Sequence, residues 1–289
     1  MFGECHAHMI MDGLNYRRAI QLHKKQVQDS AIREHLRAYE RREITFVRDG
    51  GDAFGVSKRA RELAGEYGID YRSPIFAIHK NGYYGSIVGL GFSNMKEYAG
   101  LVDIANAHGC DFIKIMISGI MDLDHAGELS CESLPAEEIK EMIHIAHEYG
   151  LSVMAHTNGI KAASAAAQYG VDSIEHGNFI DRETMEILAE HHTLYVPTVA
   201  TVANLIGCGR YPDTELSKIL DSMKENLKNA WELQVPTALG SDAGAYLVPH
   251  GQGLLDEYHF FQKVLGESEQ LDTWLSDSEA LLRKKFCRP

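Results

Sequence analysis

The residues best suited to chemistry in this chain are four histidines, one lysine and one aspartate, each at or beside a short apolar run. His6 and His8 stand two apart in Gly3–His8. On an extended strand that spacing puts both imidazoles on one face, where they can grip one metal ion. Lys114 lies in Phe112-Ile113-Lys114-Ile115-Met116-Ile117, inward by parity with Phe112 and Met116. A buried, unpaired ammonium is costly and is driven toward the neutral amine. Two outcomes relieve it. One is an ion pair with an interior carboxylate, Asp242 being the candidate. The other is reaction with carbon dioxide to an anionic carbamate, whose two oxygens can bridge two metals. His156 ends Val153-Met154-Ala155-His156, His176 follows Ser173-Ile174-Glu175, and Asp242 lies in Gly240-Ser241-Asp242-Ala243-Gly244. Singly, each also reads as a satisfied core polar group, or for Asp242 as a helix N-cap. As a set they offer mixed nitrogen and oxygen donors, which suit zinc and do not exclude manganese, nickel or iron.

The elements that must position them alternate along the whole chain. Strand signals fall at Gly3–His8, Ile44–Arg48, Pro74–His79, Phe112–Ile117, Ser152–His156, Ser173–Glu175, Leu194–Thr198 and Thr237–Ser241. Helical periodicity fills Tyr16–Tyr39, Val56–Tyr67, Asn94–His108, Pro135–Tyr149, Ile160–Tyr169, Arg182–His191 and Glu215–Leu233. Glycines after Tyr67, His108, Tyr149 and Tyr169 suit left-handed helix ends. Strands that alternate with helices imply a parallel sheet with helical crossovers, and eight of them close a barrel. An open doubly wound sheet is the alternative, but no Gly-rich phosphate loop follows the first strand. The expected fold is therefore α/β, a single (β/α)8 TIM barrel over residues 1–289, with 254–289 as closing helices. Five of its strands would deliver metal-capable residues to the C-terminal rim, where such barrels keep their active sites.

Composition narrows the partners. The formal net charge is −13, with no basic stripe, which argues against nucleic acid or an anionic membrane. No apolar run nears the roughly 20 residues of a membrane span. Met1–His6 lacks a basic start or apolar stretch, so no signal peptide is expected. The five cysteines are scattered, with no CxxC pair, which suggests reduced thiols and a cytoplasmic setting. Histidines on the helical stretches, His23 and His35 among them, read as surface residues. The expected partner is a small-molecule substrate, and a homo-oligomer is left open.

The metal-capable motifs together resemble the amidohydrolase superfamily, over residues 3 to 253. Val47-Arg48-Asp49-Gly50-Gly51, Val196-Pro197-Thr198 and Pro249-His250-Gly251-Gln252 are similar to its imidazolonepropionase-like and Xaa-Pro dipeptidase branch. The resemblance implies two divalent metals, zinc being the expected choice, and an N6-carboxylated Lys114. One metal would be held by His6, His8, Lys114 and Asp242, the other by Lys114, His156 and His176. It further implies a bridging hydroxide and Asp242 as the group passing a proton to the leaving amine. The chain departs from the family pattern in three places. It begins at the first barrel strand, so no flanking β-sandwich is expected. It has His156-Thr157-Asn158-Gly159 where the branch commonly has His-x-His-Gly. Its stretch beyond Glu267 does not resemble the family's usual ending.

Substrate contacts are expected from the loops after the strands. Candidates are Lys80, Tyr83, Tyr84, Asn158, Asn178, Thr201 and His250, with Tyr83-Tyr84 or His250 anchoring a carboxylate or oxyanion. The loop Gly119–Ser133 carries Asp122, Asp124, His125 and Glu128; as a lid its acidity would favour a basic or zwitterionic substrate. The function expected is hydrolysis of an amide or peptide bond in a dipeptide or N-acyl amino acid. Ester, lactone or organophosphate hydrolysis on the same metal pair is one alternative, and a non-catalytic metal-binding barrel another. A deaminase fits less well, because no Glu follows His156 closely.

Overall fold

The computed structural model describes residues 1–288. Nine strands form: β1 (Glu4–Ala7), β2 (Phe46–Asp49), β3 (Asp70–Arg72), β4 (Ala77–Lys80), β5 (Gly89–Phe92), β6 (Ile113–Met116), β7 (Val153–Asn158), β8 (Ser173–Asn178) and β9 (Leu194–Val196). Between and after them run α1 (Tyr16–His23), α2 (Asp29–Glu40), α3 (Val56–Ala64), α4 (Met95–Ala107), α5 (Ala136–Glu148), α6 (Ile160–Gln168), α7 (Arg182–Glu190), α8 (Ala200–Ala203), α9 (Asp213–Glu232), α10 (Gln252–Leu265) and α11 (Glu269–Lys285). The fold is α/β. Its two sheets, ordered β1-β2-β3 and β5-β4-β6-β7-β8-β9, are parallel throughout.

Parallel strands covered on both faces draw mostly apolar residues, and β6 and β7 are buried along their whole length, with Lys114, His156, Thr157 and Asn158 as the polar exceptions. One layer of side chains packs outward against the helices, as Ile113, Ile115, Val153 and Ala155 do within the main core. The opposite parity points inward, where Phe112 and Met154 share a separate cluster with Cys5, Phe46, Val196 and Phe286. Lys114 follows that inward parity.

Several expected elements differ, each for a local reason. The helix expected over Tyr16–Tyr39 is two helices, parted at Lys24–Gln28. The strand expected at Pro74–His79 starts only at Ala77, as β4, because Ile75 takes φ 69° and breaks the extended run; β3, just before it, was not expected. β5 was not expected; it pairs with β4 at the edge of the sheet. Thr237–Ser241 forms no regular strand, only a bridge from Thr237 to Tyr195. Pro236 has no N–H to give, and Gly240 passes so close to His6 that a Cβ would lie 2.8 Å from the His6 nitrogen. The segment is still bonded on both sides. Tyr195 N donates to Pro236 O at 2.8 Å, Cys5 N to Leu239 O at 3.0 Å and Asp242 N to His6 O at 2.8 Å. The expected closing helices correspond to α10 and α11, and position 289 lies outside the described residues. No described helix is long and apolar enough to cross a membrane.

Candidate metal centre

The C-terminal ends of β1, β6, β7 and β8, with the 236–243 segment, converge on a cavity of about 230 Å³. His8, Lys114, His156, His176 and Asp242 line it. The imidazoles form a chain: ring centroids lie 5.4 Å apart for His8 and His6, 5.0 Å for His6 and His176, and 4.7 Å for His176 and His156. Asp242 Oδ1 is 3.4 Å from His8 Nε2 and 3.7 Å from His6 Nε2. Donor atoms of these three residues all lie within 4.8 Å of one another. His176, Thr198 and Asp242 have φ of 69°, 54° and 58°. Non-glycine residues adopt that left-handed region at an energetic cost, and such strain collects at functional sites.

Buried acceptors fix the rings. His6 Nδ1 meets Glu175 Oε2 at 2.7 Å. Arg48 holds Glu175 in turn, with Nη2 at 2.8 Å and 3.0 Å from its two oxygens. Arg48 also donates to Cys5 O and Ser173 Oγ, and its guanidinium stacks 4.4 Å from the Phe286 ring. With Nδ1–H given to Glu175, His6 keeps its Nε2 lone pair turned toward Asp242. His176 Nδ1 meets Thr198 Oγ1 at 2.7 Å, and His156 Nε2 faces Gly119 O at 3.2 Å. Glu257 accepts from Val199 N and Ala200 N, bracing the turn that carries Thr198. Glu4 accepts from Ser241 N, Ser241 Oγ and His6 N, tying the turn before Asp242 to β1. Gly50 approaches so closely that a Cβ there would run into the His8 ring.

Charge at the site follows from burial. Burial pushes the His8 and His156 imidazoles down to about 3, and takes His6 and His176 well below their usual range, with Lys114 as a second cause for His6, His8 and His156. All four rings are thus neutral at neutral pH. Burial lowers the Lys114 amine to about 8, and raises Asp242 to about 7 against the attraction of Lys114. The ion pair between Lys114 and Asp242 does not form: among the described residues Lys114 Nζ has no hydrogen-bond partner. His6 Nε2 and His8 Nδ1 are likewise buried and unpartnered. Each such group costs about 1–3 kcal/mol when left unsatisfied. The nitrogens that face the carboxylate, the orphaned His6 Nε2 and His8 Nε2, are the donors that fit a divalent metal.

The expected substrate contacts separate into two groups. Tyr84, Asn158, Asn178 and Thr201 line the cavity, with the Tyr84 ring 4.9 Å from His156. Lys80, Tyr83 and His250 do not. Lys80 Nζ is held by both oxygens of Glu138 at 2.7 Å, and Tyr83 packs its ring 5.5 Å from that same ammonium. His250 is buried behind the site. It stacks 4.0 Å from His35 and bonds to Tyr39 Oη and Met11 O, so it braces a loop instead of facing substrate. His23 and His35, expected at the surface, are buried and partly buried. The Gly119–Ser133 loop gives the cavity Ile120, Met121 and Leu123, whereas Asp122, Asp124 and Glu128 are absent from its lining. Sequence reasoning passed over Arg48, Glu175 and Thr198 as supports. The test that marked Lys114, a charge inside an apolar strand, marks Arg48 in Phe46-Val47-Arg48 equally well.

The profile of the amidohydrolase family matches residues 8–279. An uncharacterised Mycobacterium tuberculosis protein is 32% identical over 133 residues, 44% of this chain and 35% of that protein. Ochratoxinase of Aspergillus niger is 28% identical over 198 residues, 66% of this chain and 39% of the enzyme. The aligned stretches thus span between about a third and two fifths of those curated relatives. A solved Xaa-Pro dipeptidase with methionine bound in its active site superposes with a TM-score of 0.76 at 22% identity, over 98% of this chain and 75% of that one. The A. niger ochratoxinase structure gives 0.75 at 20% identity, over 94% and 68%. At such identities the superpositions speak to the fold.

Proposed function

Because this chain belongs to the amidohydrolase family, we propose that it is a metal-dependent hydrolase of C–N bonds, acting on dipeptides or N-acyl amino acids. The observation that carries the reading is the convergence of His6 Nε2 and His8 Nε2 on Asp242 Oδ1, with the buried, unpartnered Lys114 amine lining the same cavity. At about 230 Å³ that cavity sits at the small end of ligand pockets, which suits a substrate of this size. The names of two similar proteins, a Xaa-Pro dipeptidase and an ochratoxinase, agree with the class. The bonds that tie the 236–243 segment to β9 and to β1 support reading the two sheets as one closed (β/α)8 barrel.

His6, His8, Lys114 and Asp242 would hold one divalent ion, and Lys114, His156 and His176 a second, with Lys114 as its carbamate. Zinc suits the donor set. Bound there, the ions supply Lewis-acid polarisation of the scissile carbonyl and a more acidic water. The chain's own residues do the rest. Only a neutral amine reacts with carbon dioxide, and burial lowers Lys114 to about 8, which keeps a usable fraction neutral near pH 7. Glu175 and Thr198 hold the His6 and His176 rings, so their free nitrogens need no rearrangement. Asp242, the carboxylate that lines the cavity, can take a proton from the attacking water and return it to the leaving amine. The apolar wall from Met116, Ile120, Met121 and Leu205 excludes bulk water.

The test is elemental analysis of protein expressed with bicarbonate, parent beside Lys114→Ala, with turnover assayed on N-acyl amino acids, esters and lactones. About two ions in the parent, a marked loss in the variant and selective amide cleavage are expected. No metal in either protein sinks the reading. Cleavage of esters and lactones alone replaces the amide by the ester as substrate.

A further inference from the structure

Resting on the amide-hydrolase reading, we propose that the site selects apolar N-acyl amino acids, and that Arg17 and Arg210 at the cavity mouth hold the free carboxylate. The cavity interior leaves little choice about which end of such a substrate goes in. Its walls are mostly apolar, with Met11, Ile87, Val88, Met116 and Leu205; Tyr84, Asn158, Asn178 and Thr201 add neutral polar groups, and among the described residues its one carboxylate is Asp242. Its only lysine or arginine is Lys114, which belongs to the metal centre. A substrate carboxylate pressed against the apolar walls would lose its hydration, and outside the metal centre only neutral donors are there to meet it. The apolar acyl group therefore enters, and the charged end stays at the mouth.

The mouth is built to meet it. Tyr16, Tyr211 and Tyr246 all line the cavity, and each carries an arginine on its ring. The Arg210 guanidinium lies 4.5 Å from the Tyr246 centroid and 5.3 Å from that of Tyr211. Arg17 lies 5.7 Å from the Tyr16 centroid and donates from Nε to Tyr16 Oη at 3.1 Å. A guanidinium resting on an aromatic face keeps donors free along its edge, the geometry that takes a carboxylate in a bidentate grip. Neither arginine forms a salt bridge among the described residues, although the chain has 41 acidic residues against 28 basic ones. Tyr16 and Ile120 leave apolar surface exposed at the same rim, at 38% and 41%. A ligand with an apolar body and one carboxylate complements both features.

The experiment compares N-benzoyl-L-leucine with its carboxamide, which differ in that one charge. Metal-loaded parent, Arg17→Gln, Arg210→Gln and the double variant are measured by calorimetric binding and by steady-state kinetics, at low and high salt. Both arginines are exposed, so the variants fold; matching melting curves check this. The parent is expected to bind the acid about five- to tenfold tighter than the amide. The preference should shrink with salt and fall to about one in the double variant. In kinetics the change should appear in KM for the acid, with its kcat held within about twofold. Acid preference without turnover of either compound keeps the arginine assignment and sinks the hydrolase reading. Equal binding of acid and amide, binding of neither, or a preference that survives the double substitution overturns the assignment, whatever the turnover.

Discussion

Arg48→Met tests whether the rings of the metal centre rest on a buried ion pair. Arg48 and Glu175 are both fully buried, and their contacts are 2.8 Å and 3.0 Å. Removing the guanidinium strands the Glu175 carboxylate in the core, which costs about 3–5 kcal/mol. That is a large share of the roughly 5–15 kcal/mol that holds a domain together. Glu175→Gln strands Arg48 instead and should cost a comparable amount. The double variant Arg48→Met/Glu175→Gln leaves no buried charge behind. Its loss should therefore fall short of the sum of the singles by about 2–3 kcal/mol. The assay is urea unfolding of the metal-free proteins, comparing midpoints at unchanged m-value. Metal affinity gives an independent reading, because Glu175 sets the His6 tautomer. Glu175→Gln should weaken binding about 10–100-fold. Losses that add to within about 0.5 kcal/mol, with metal affinity unchanged, would refute the coupling.

Three other outcomes follow from particular contacts. Gly50→Ala should displace the His8 ring and lower bound metal sharply while leaving the far-UV spectrum intact, since the new Cβ meets that ring; full metal content in the variant counts against the close approach. Thr198→Val removes the partner of His176 Nδ1 and should weaken metal binding at least about tenfold, read by competition with a chelator. Burial raises Glu257 from 4.5 to about 8. A carboxyl raised on folding stabilises fully below its unfolded pKa, and that contribution is lost as pH climbs through the folded value. This group's contribution should therefore fall between about pH 5 and 8, with a slope of at most about 1.4 kcal/mol per pH unit, opposing the buried histidines, whose lowered values act in the other direction. Glu257→Gln, which cannot titrate, should flatten that slope in chemical unfolding. An identical slope in both proteins contradicts the assignment.

Much of the candidate metal centre was legible in one dimension because strands repeat every two residues. That period places His6 with His8, and Lys114 with Phe112 and Met116, before any coordinates are known. A charge inside an apolar strand then demands an explanation, and Lys114 received one while Arg48, subject to the same physics, was overlooked. Helix periodicity and terminal glycines placed α4 to α7 within a residue or two. Spacing could not locate the rim. Tyr83 and Tyr84 are neighbours in sequence, but the backbone bond from Tyr83 N to Lys80 O belongs to a turn that sends one toward Lys80 and the other onto His156. His250 was drawn to Tyr39 and Met11, partners more than two hundred residues away. Arg48 meets Glu175 across 127 residues, and Arg210 meets Tyr246 from a different loop. Local periodicity is set by the backbone itself and can be read residue by residue. Which loop residues meet across the end of a sheet depends on several independent chain paths converging, and only the folded chain decides that.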